Sequence, residues 1–395
     1  MKKKIVLLRS PVLSQTGYGV HSRQIANWLL SKEDLDVRFH ALEWGNSPWI
    51  VDQTRCDGLI SKVFDKTVDS SFKGADLSIQ VQMPYEWNEN IAPVNIGVTA
   101  GVETDLCNPR WIPHLNKMNR VVVPSAFAKK TLVDTGKEEL KAQIDVIHES
   151  YTEVDNSKIS ENLFTFSTPF NFLIFGQLTG GHFYNDRKNT FFALKWLIDL
   201  FKDDPEVGIV IKTNSGRNSI KDRFECKKIL NEVISQFRVG PFPKVHLIHG
   251  ELNDEDVFSL YRNPSIKALV TASRGEGYGL PILEAASQDL PVIATNWSGH
   301  LEFLNSGKFI KLDYDLKEVH KSKLTDPKLD KSIFIEGQKW AEVNEEDFKR
   351  KVKKFRSAPE TPREWAKDLG LKIREKFSFE KICAQYDQIL GEYLK

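Results

Sequence analysis

Short runs rich in apolar residues recur along the chain, most of them nearly continuous and two, Asp36–Leu42 and Ala75–Val81, alternating apolar with polar. In the first half they are Ile5-Val-Leu-Leu8, Asp36–Leu42, Ala75–Val81, Asn95–Val98, Arg120–Val123 and Ile144–Ile147. In the second half they are Phe170–Leu178, Val207–Thr213, Val245–His249, Ala268–Ala272 and Pro291–Thr295. Runs this short and this continuous read as strands buried on both faces, the habit of parallel sheets. Between them the period changes to that of a helix. Ile25, Trp28 and Leu29 share one face, as do Phe192, Trp196 and Leu200, and Asn253 or Asp254 caps a helix that runs to Tyr261. Alternating strand and helix predicts an α/β protein with parallel sheets.

The polar tract Tyr151–Thr168 separates two such series and reads as a linker. With 395 residues, two domains of ordinary size are expected: 1–165 and 166–360, followed by C-terminal helices over 361–395. Thr361-Pro-Arg-Glu364 has the spacing of a capping box with proline at the first helical position. The last helix repeats Phe379, Ile382 and Cys383, Tyr386, Ile389 and Leu390, and Tyr393 at helical spacing. Before it, Asn344–Arg356 places Phe348, Val352 and Phe355 in one stripe, with acids early and bases late, as the helix dipole favours. Its basic 349–356 face is a candidate for weak contact with a membrane surface, although a solvated face is the preferred reading.

Composition narrows the picture. A net charge of +1 gives no global field toward nucleic acid or anionic lipid, so no strong nucleic-acid signal exists. The four cysteines, Cys56, Cys107, Cys226 and Cys383, are far apart and match no metal-ligand spacing, which predicts thiols in a reducing, cytoplasmic setting. The apolar run Ile5–Leu8 is cut off by Arg9 and is too short for a signal peptide. No run approaches the roughly 20 apolar residues of a membrane span.

The candidate chemistry centres on Ser273-Arg-Gly-Glu-Gly-Tyr-Gly-Leu-Pro-Ile-Leu-Glu-Ala-Ala-Ser287, which joins a strand to a helix with Pro281 at its start. Gly275, Gly277 and Gly279 let backbone N–H groups approach a ligand, and the helix start favours phosphate. Glu276 lies in the loop and Glu284 in the helix's first turn. A carboxylate there can accept two hydrogen bonds from a vicinal diol such as that of a ribose. The combination suits a nucleotide joined to a polyol.

Glu276 and Glu284, with the glycines between them, resemble the E-x7-E signature of retaining glycosyltransferases of family four, and Asn296–Glu302 is similar to the strand-end segment that follows it. The resemblance spans residues 5–395 and is densest over 265–305. It implies a GT-B fold: two Rossmann-like parallel-sheet domains facing a cleft, the acceptor side in 1–165, the donor side in 166–360, and a C-terminal helix crossing back to the first domain. By resemblance, Glu284 holds the donor ribose and Glu276 contacts the donor sugar, with Gly277, Tyr278, Gly279 and Leu280 lining the donor. Gly17-Tyr18-Gly19 resembles the family's first glycine loop facing the donor diphosphate, while the roles of His21 and Arg23 stay open. Glu103, after a strand and beside Thr104, is similar to a catalytic-edge glutamate that orients acceptor or donor sugar. Ile144–His148 resembles the strand closing the first domain, and His148 and His21 are candidates for the cleft.

In the second domain Arg187-Lys188-Asn189 resembles the family's diphosphate clamp, with Lys212 as a further edge cation. A departing nucleoside diphosphate develops negative charge that such preorganised cations stabilise. The triplets Asp34–Asp36, Asp254–Asp256 and Asp313–Asp315 are of the kind that binds metal in the other glycosyltransferase fold, but none follows a mid-domain strand. No metal and no cofactor are therefore expected; Lys188 and Arg187 stand where a cation would. The reading is a retaining, metal-independent transferase that moves a sugar from a nucleotide diphosphate-sugar to a sugar-bearing or hydroxyl acceptor (glycan, lipid-linked sugar, protein or modified nucleobase). The alternative is a non-catalytic nucleotide-sugar-binding relative. Such a relative would lose Lys188 or Glu284, and both are present.

Overall fold

The computed structural model describes every residue except 1–2, 177, 179–182, 215, 217 and 321–330. Gln177, within the expected strand run Phe170–Leu178, therefore lies outside the described residues. The chain forms two compact units: unit 1 is Met1–Ser150, Asp330–Ile335 and Phe379–Lys395, and unit 2 is Tyr151–Leu329 and Glu336–Ser378.

Unit 1 is built on a six-stranded parallel sheet: β1 (Lys4–Ser10), β2 (Leu35–Ala41), β3 (Leu77–Val81), β4 (Val94–Val98), β5 (Arg120–Val123) and β6 (Ile144–Val146). Their order is β2-β1-β3-β4-β5-β6, so the direction of winding reverses between β1 and β3. Ligands of open α/β sheets bind outside the carboxyl ends of strands at such a reversal. Helix Gly17–Leu30 leaves β1 there and buries Ile25, Trp28 and Leu29 on the sheet. Helix Phe379–Leu390 joins the same core through Ile382, Tyr386 and Leu390. Tyr386 stacks on Trp28 at 4.8 Å, and the Trp28 indole N–H donates to Asp387 at 2.9 Å.

Unit 2 repeats the plan with β7 (Phe170–Phe175), β8 (Val207–Thr213), β9 (Lys244–His249), β10 (Ile266–Thr271), β11 (Val292–Thr295) and β12 (Ile310–Leu312). The order β12-β11-β10-β7-β8-β9 reverses between β7 and β10. A separate antiparallel pair, β13 (Tyr314–Glu318) and β14 (Lys339–Val343), follows. The core gathers Phe172 and Ile174 of β7, Leu194, Trp196 and Leu197 of helix Thr190–Leu200, and the Phe348, Val352 and Phe355 stripe. Each such side chain contributes about 1.5–3 kcal/mol by leaving water. The basic residues of helix Glu345–Ser357 are largely taken up inside unit 2. Lys349 pairs with Asp199 and Glu345, Lys351 with Asp313 and Asp347, and Arg356 with Asp204 and Glu206. Among the described residues no helix is long and apolar enough to cross a membrane.

Three local expectations change. The first unit ends at Ser150, not at 165, because the tract after it is fastened to unit 2. Ser160 N–H donates to Ser259 Oγ at 2.9 Å, and the Asn263 amide donates to Glu161 O and Phe164 O at 3.1 and 2.7 Å. Of the C-terminal helices, only Phe379–Lys395 belongs to unit 1. Helix Glu360–Lys376 stays in unit 2, where Arg374 reaches Asp289 at 2.8 Å and Gly370 sits so close to Ala286 that a Cβ would lie 2.9 Å from its carbonyl oxygen. That helix starts at Glu360 with no side-chain cap, so Thr361 is already inside it and the expected capping box does not form.

Candidate functional site

In unit 2, the loops after β7 and β10 meet at the reversal of strand order. Glu276 is 4% exposed, and both its oxygens accept from Lys188 Nζ, at 2.6 and 2.8 Å. Arg187 Nη1 lies 3.2 Å from Glu276 Oε2 and donates to Gly275 O at 2.7 Å. Burial alone would raise the carboxyl group's pKa; Lys188 and then Arg187 outweigh it and hold it at about 2. Two cations are thus preorganised on one carboxylate, and charge-assisted bonds of this kind are the stronger class.

The cation pair is itself built from beneath. Asp186 accepts from Lys188 N–H at 3.0 Å and from Thr190 N–H at 2.6 Å, capping helix Thr190–Leu200 in place of Asn189, whose side chain makes no cap. Arg274 is fully buried, bidentate to Glu342 at 2.7 and 2.9 Å, and donates to the main-chain oxygens of Asp186 and Phe183 at 2.5 and 3.3 Å. Its own N–H donates to Arg187 O at 2.8 Å. Ser298 Oγ accepts from Glu276 N–H at 2.9 Å, and buried His300 holds Thr295 O at 2.7 Å. Burial depresses the pKa of His300.

Glu284 lies one turn into helix Leu280–Ser287. Its Oε1 accepts from Thr152 Oγ1 at 2.9 Å and its Oε2 from Tyr261 OH at 3.3 Å. Burial, with a smaller push from Asp254, raises the carboxyl pKa to about 7 against those two bonds. Gly279 caps the helix at φ +101, and a Cβ there would sit 3.1 Å from that of His300, so glycine is the residue that fits. Gly277 lies in the same buried loop. Tyr278 is turned inward, its ring edge-on to Phe303 at 5.4 Å, and Leu280 is buried as the first helical residue. Lys212, at the end of β8, donates to Gly250 O, and burial lowers its pKa.

In unit 1 the glycine loop follows β1. A Cβ on Gly19 would lie 1.9 Å from Ser14 O, which excludes any other residue there without a backbone shift. Gly17 is exposed. Tyr18 stacks on Trp44 at 4.1 Å, and its hydroxyl is 3.0 Å from both Thr99 Oγ1 and Ala100 N. Burial raises its pKa, with Glu103 and Glu149 adding smaller pushes. Glu103 is half-buried in the bend after β4. Arg23 braces the loop by donating to Val12 O and Ser14 O at 2.9 and 2.7 Å.

His21 is sealed in: 2% exposed, 2.9 Å from Tyr386 OH and 3.8 Å from Glu149 Oε1. It braces the last helix and presents no ring to a ligand, contrary to the expectation of a cleft position. Burial lowers its pKa to about 4 and raises that of Glu149 to about 8. His148 is half-buried, with Nδ1 3.0 Å from Pro124 O.

Among the described residues one His, Cys and Asp cluster brings its donor atoms within 4.8 Å of one another: Asp222, Cys226 and His249. Its 2.6 Å contact between His249 Nε2 and Asp222 Oδ2 is a hydrogen bond, shorter than neighbouring ligands on a tetrahedral metal ion would allow. Glu276 and Glu284 belong to no such cluster. The residues that sequence reasoning missed are Thr152, Asp186, Tyr261, Arg274, Ser298, His300 and Glu342. Of these, Arg274 falls in the Ser273–Ser287 stretch and Ser298 and His300 in the Asn296–Glu302 segment, both of which had stood out.

Residues 242–340, which include the Glu276–Glu284 loop, match the family model described as glycosyl transferases group 1. Searching curated proteins by sequence gives no match. By structure, the chain is similar to a glycosyltransferase from Rickettsia africae, with 13% identity, a TM-score of 0.65 and 100% of both chains covered. It is also similar to sucrose-phosphate synthase from Thermosynechococcus elongatus (13% identity, TM-score 0.62, 99% of both chains covered). A third similar structure is Anabaena HepE in complex with UDP-glucose (14% identity, TM-score 0.60, 98% of this chain and 99% of that one). The likeness over whole chains shows the two-sheet GT-B fold, and the group 1 model matches the stretch that holds the loop and helix of unit 2.

Proposed function

We propose that the chain transfers a sugar from a nucleotide diphosphate-sugar to a sugar-bearing or hydroxyl acceptor with retention of anomeric configuration, and that protein cations rather than a metal ion meet the leaving diphosphate. The observation that carries this reading is the Lys188–Glu276–Arg187 arrangement. Two cations are fixed where strand order reverses, beside a glycine loop and a helix start. Negative charge grows on the leaving group as the glycosidic bond breaks, and groups already aimed at it need no reorganisation. Glu276, ionised down to about pH 2, keeps both cations charged and within reach and faces the donor sugar.

Glu284 accepts the ribose hydroxyls in this reading, with Gly277 and Gly279 letting the backbone approach the phosphates. Gly17, Gly19 and Glu103 of unit 1 serve the donor and acceptor sugars. Tyr18, Tyr278 and Leu280 hold their loops through packing. In Anabaena HepE the ligand is UDP-glucose, which supports a donor of that class here. Scattered cysteines support a cytoplasmic setting. No membrane role is assigned to helix Glu345–Ser357, whose ion pairs support a structural one.

Proton NMR of the product tests the stereochemistry: an α-linked donor should yield an α-linked product, and inversion would overturn retention. Turnover that collapses in EDTA and returns with a divalent ion would overturn the metal-free reading.

A further inference from the structure

Glu284 is held by groups from two other segments of unit 2. Thr152 stands just after the chain enters the unit, and Tyr261 ends helix Asp254–Tyr261. Each hydroxyl engages a different carboxylate oxygen, at 2.9 Å from Thr152 and 3.3 Å from Tyr261. Tyr261 is itself fixed: 2% exposed, stacked on Phe175 at 5.5 Å, with its hydroxyl 3.2 Å from Pro281 O.

A carboxylate has about four acceptor positions, two on each oxygen. Thr152 occupies one on Oε1, and Tyr261, whose one hydrogen is shared with Pro281 O, covers one on Oε2, which leaves one on each. A ligand with two adjacent hydroxyls satisfies that remaining pair, whereas a ligand with one hydroxyl leaves an acceptor unmatched. We propose that Thr152 and Tyr261 are positioning residues that orient Glu284 as a reader of vicinal diols, so that the site takes ribonucleoside diphosphates and discriminates against their 2′-deoxy counterparts. This rests on the donor reading above, in which Glu284 faces the ribose. Asp254, at the start of the Tyr261 helix, opposes ionisation of Glu284.

The test is calorimetric titration of the full chain with UDP, GDP and ADP and with the 2′-deoxy form of each. Wild type should bind one ribo form about 10- to 100-fold more tightly than its 2′-deoxy form, the cost of an unmatched acceptor. Thr152→Val and Tyr261→Phe should each lower that ratio several-fold while leaving 2′-deoxy affinity nearly unchanged, and Thr152→Ser should restore it. If Tyr261→Phe fails to fold, the Thr152 pair decides. An unchanged ratio in both variants, with Glu284→Gln abolishing it, overturns the positioning role and leaves the donor reading intact. A ratio that survives Glu284→Gln overturns the ribose role itself. No binding by any diphosphate overturns both.

Discussion

In unit 1 the loop after β1 runs into helix Gly17–Leu30, whose first turn carries Gly17 and Gly19, and next along it His21 lies against Glu149. In unit 2 the loop after β7 carries Arg187 and Lys188, and against it lies Glu276. Both loops leave a strand at which the order of a parallel sheet reverses. Their electrostatics are opposite. Burial drives His21 down to about 4 and Glu149 up to about 8, so at neutral pH both are uncharged and 3.8 Å apart. Glu276 is as buried as Glu149, yet two cations hold it ionised down to about pH 2. The same fold position becomes either a packed brace or a charged site, according to whether a buried carboxylate is given cations.

The sharpest way to break this contrast is to remove the support under the cations. Arg274→Met should cost about 3–5 kcal/mol of stability, because Glu342 loses its buried partner. Adding Glu342→Leu should recover much of the melting temperature but not the turnover, since Asp186 and Phe183 still lose their donor. Full recovery of turnover in the double variant would show that Arg274 does not position the loop. Next comes Lys188→Ala, expected to lower kcat by about 10²–10³ with the fold intact, the scale seen when a preorganised charge-stabilising group is removed. Near-normal turnover would leave Lys188 a surface cation.

Gly19→Ala probes unit 1, where a Cβ would press on Ser14 O at 1.9 Å. It should cost about 1–3 kcal/mol, read as a lowered Tm. An unshifted Tm would mean that the loop relaxes freely. The last test concerns pH. The value of Glu149 in the fold, about 8, lies above the usual 4.5, so the unfolded chain gives up this proton first and stability falls as pH climbs from about 4.5 to 8. His21 has a folded value of about 4, below the usual 6.5, so its contribution is lost as pH falls from about 6.5 toward 4. Glu149→Gln should flatten the first slope in a Tm-against-pH series and leave the second; an unaltered curve above pH 4.5 contradicts the assignment.

What the sequence revealed follows from how far apart the partners stand. The loop from Ser273 to Ser287 was legible because its glycines, carboxylates and proline are contiguous, and Arg187-Lys188 for the same reason. Most strands were legible because buried parallel strands are nearly continuous in apolar residues, while β2 and β3 showed as alternating runs. Tyr386, 365 positions from His21, turned that histidine into a brace, and no local pattern announces such a contact. Thr152 meets Glu284 across 132 positions, and Arg274 meets Glu342 across 68. The capping box at Thr361 had the right letters, yet the helix already begins at Glu360, so Thr361 lies inside it and cannot cap it. Local chemistry names a site, and distant chemistry orients it.

The central claim is that the charged loop of unit 2 receives the diphosphate of a nucleotide-sugar. A thermal-shift series of wild type and Lys188→Ala against UDP-, GDP- and ADP-sugars tests it directly. A ligand at about 100 times its dissociation constant adds about 2.7 kcal/mol, a readily measured rise in Tm. One base class should raise the Tm of wild type, and the rise should shrink sharply in Lys188→Ala. An equal rise in both proteins, or none with any donor, would contradict it.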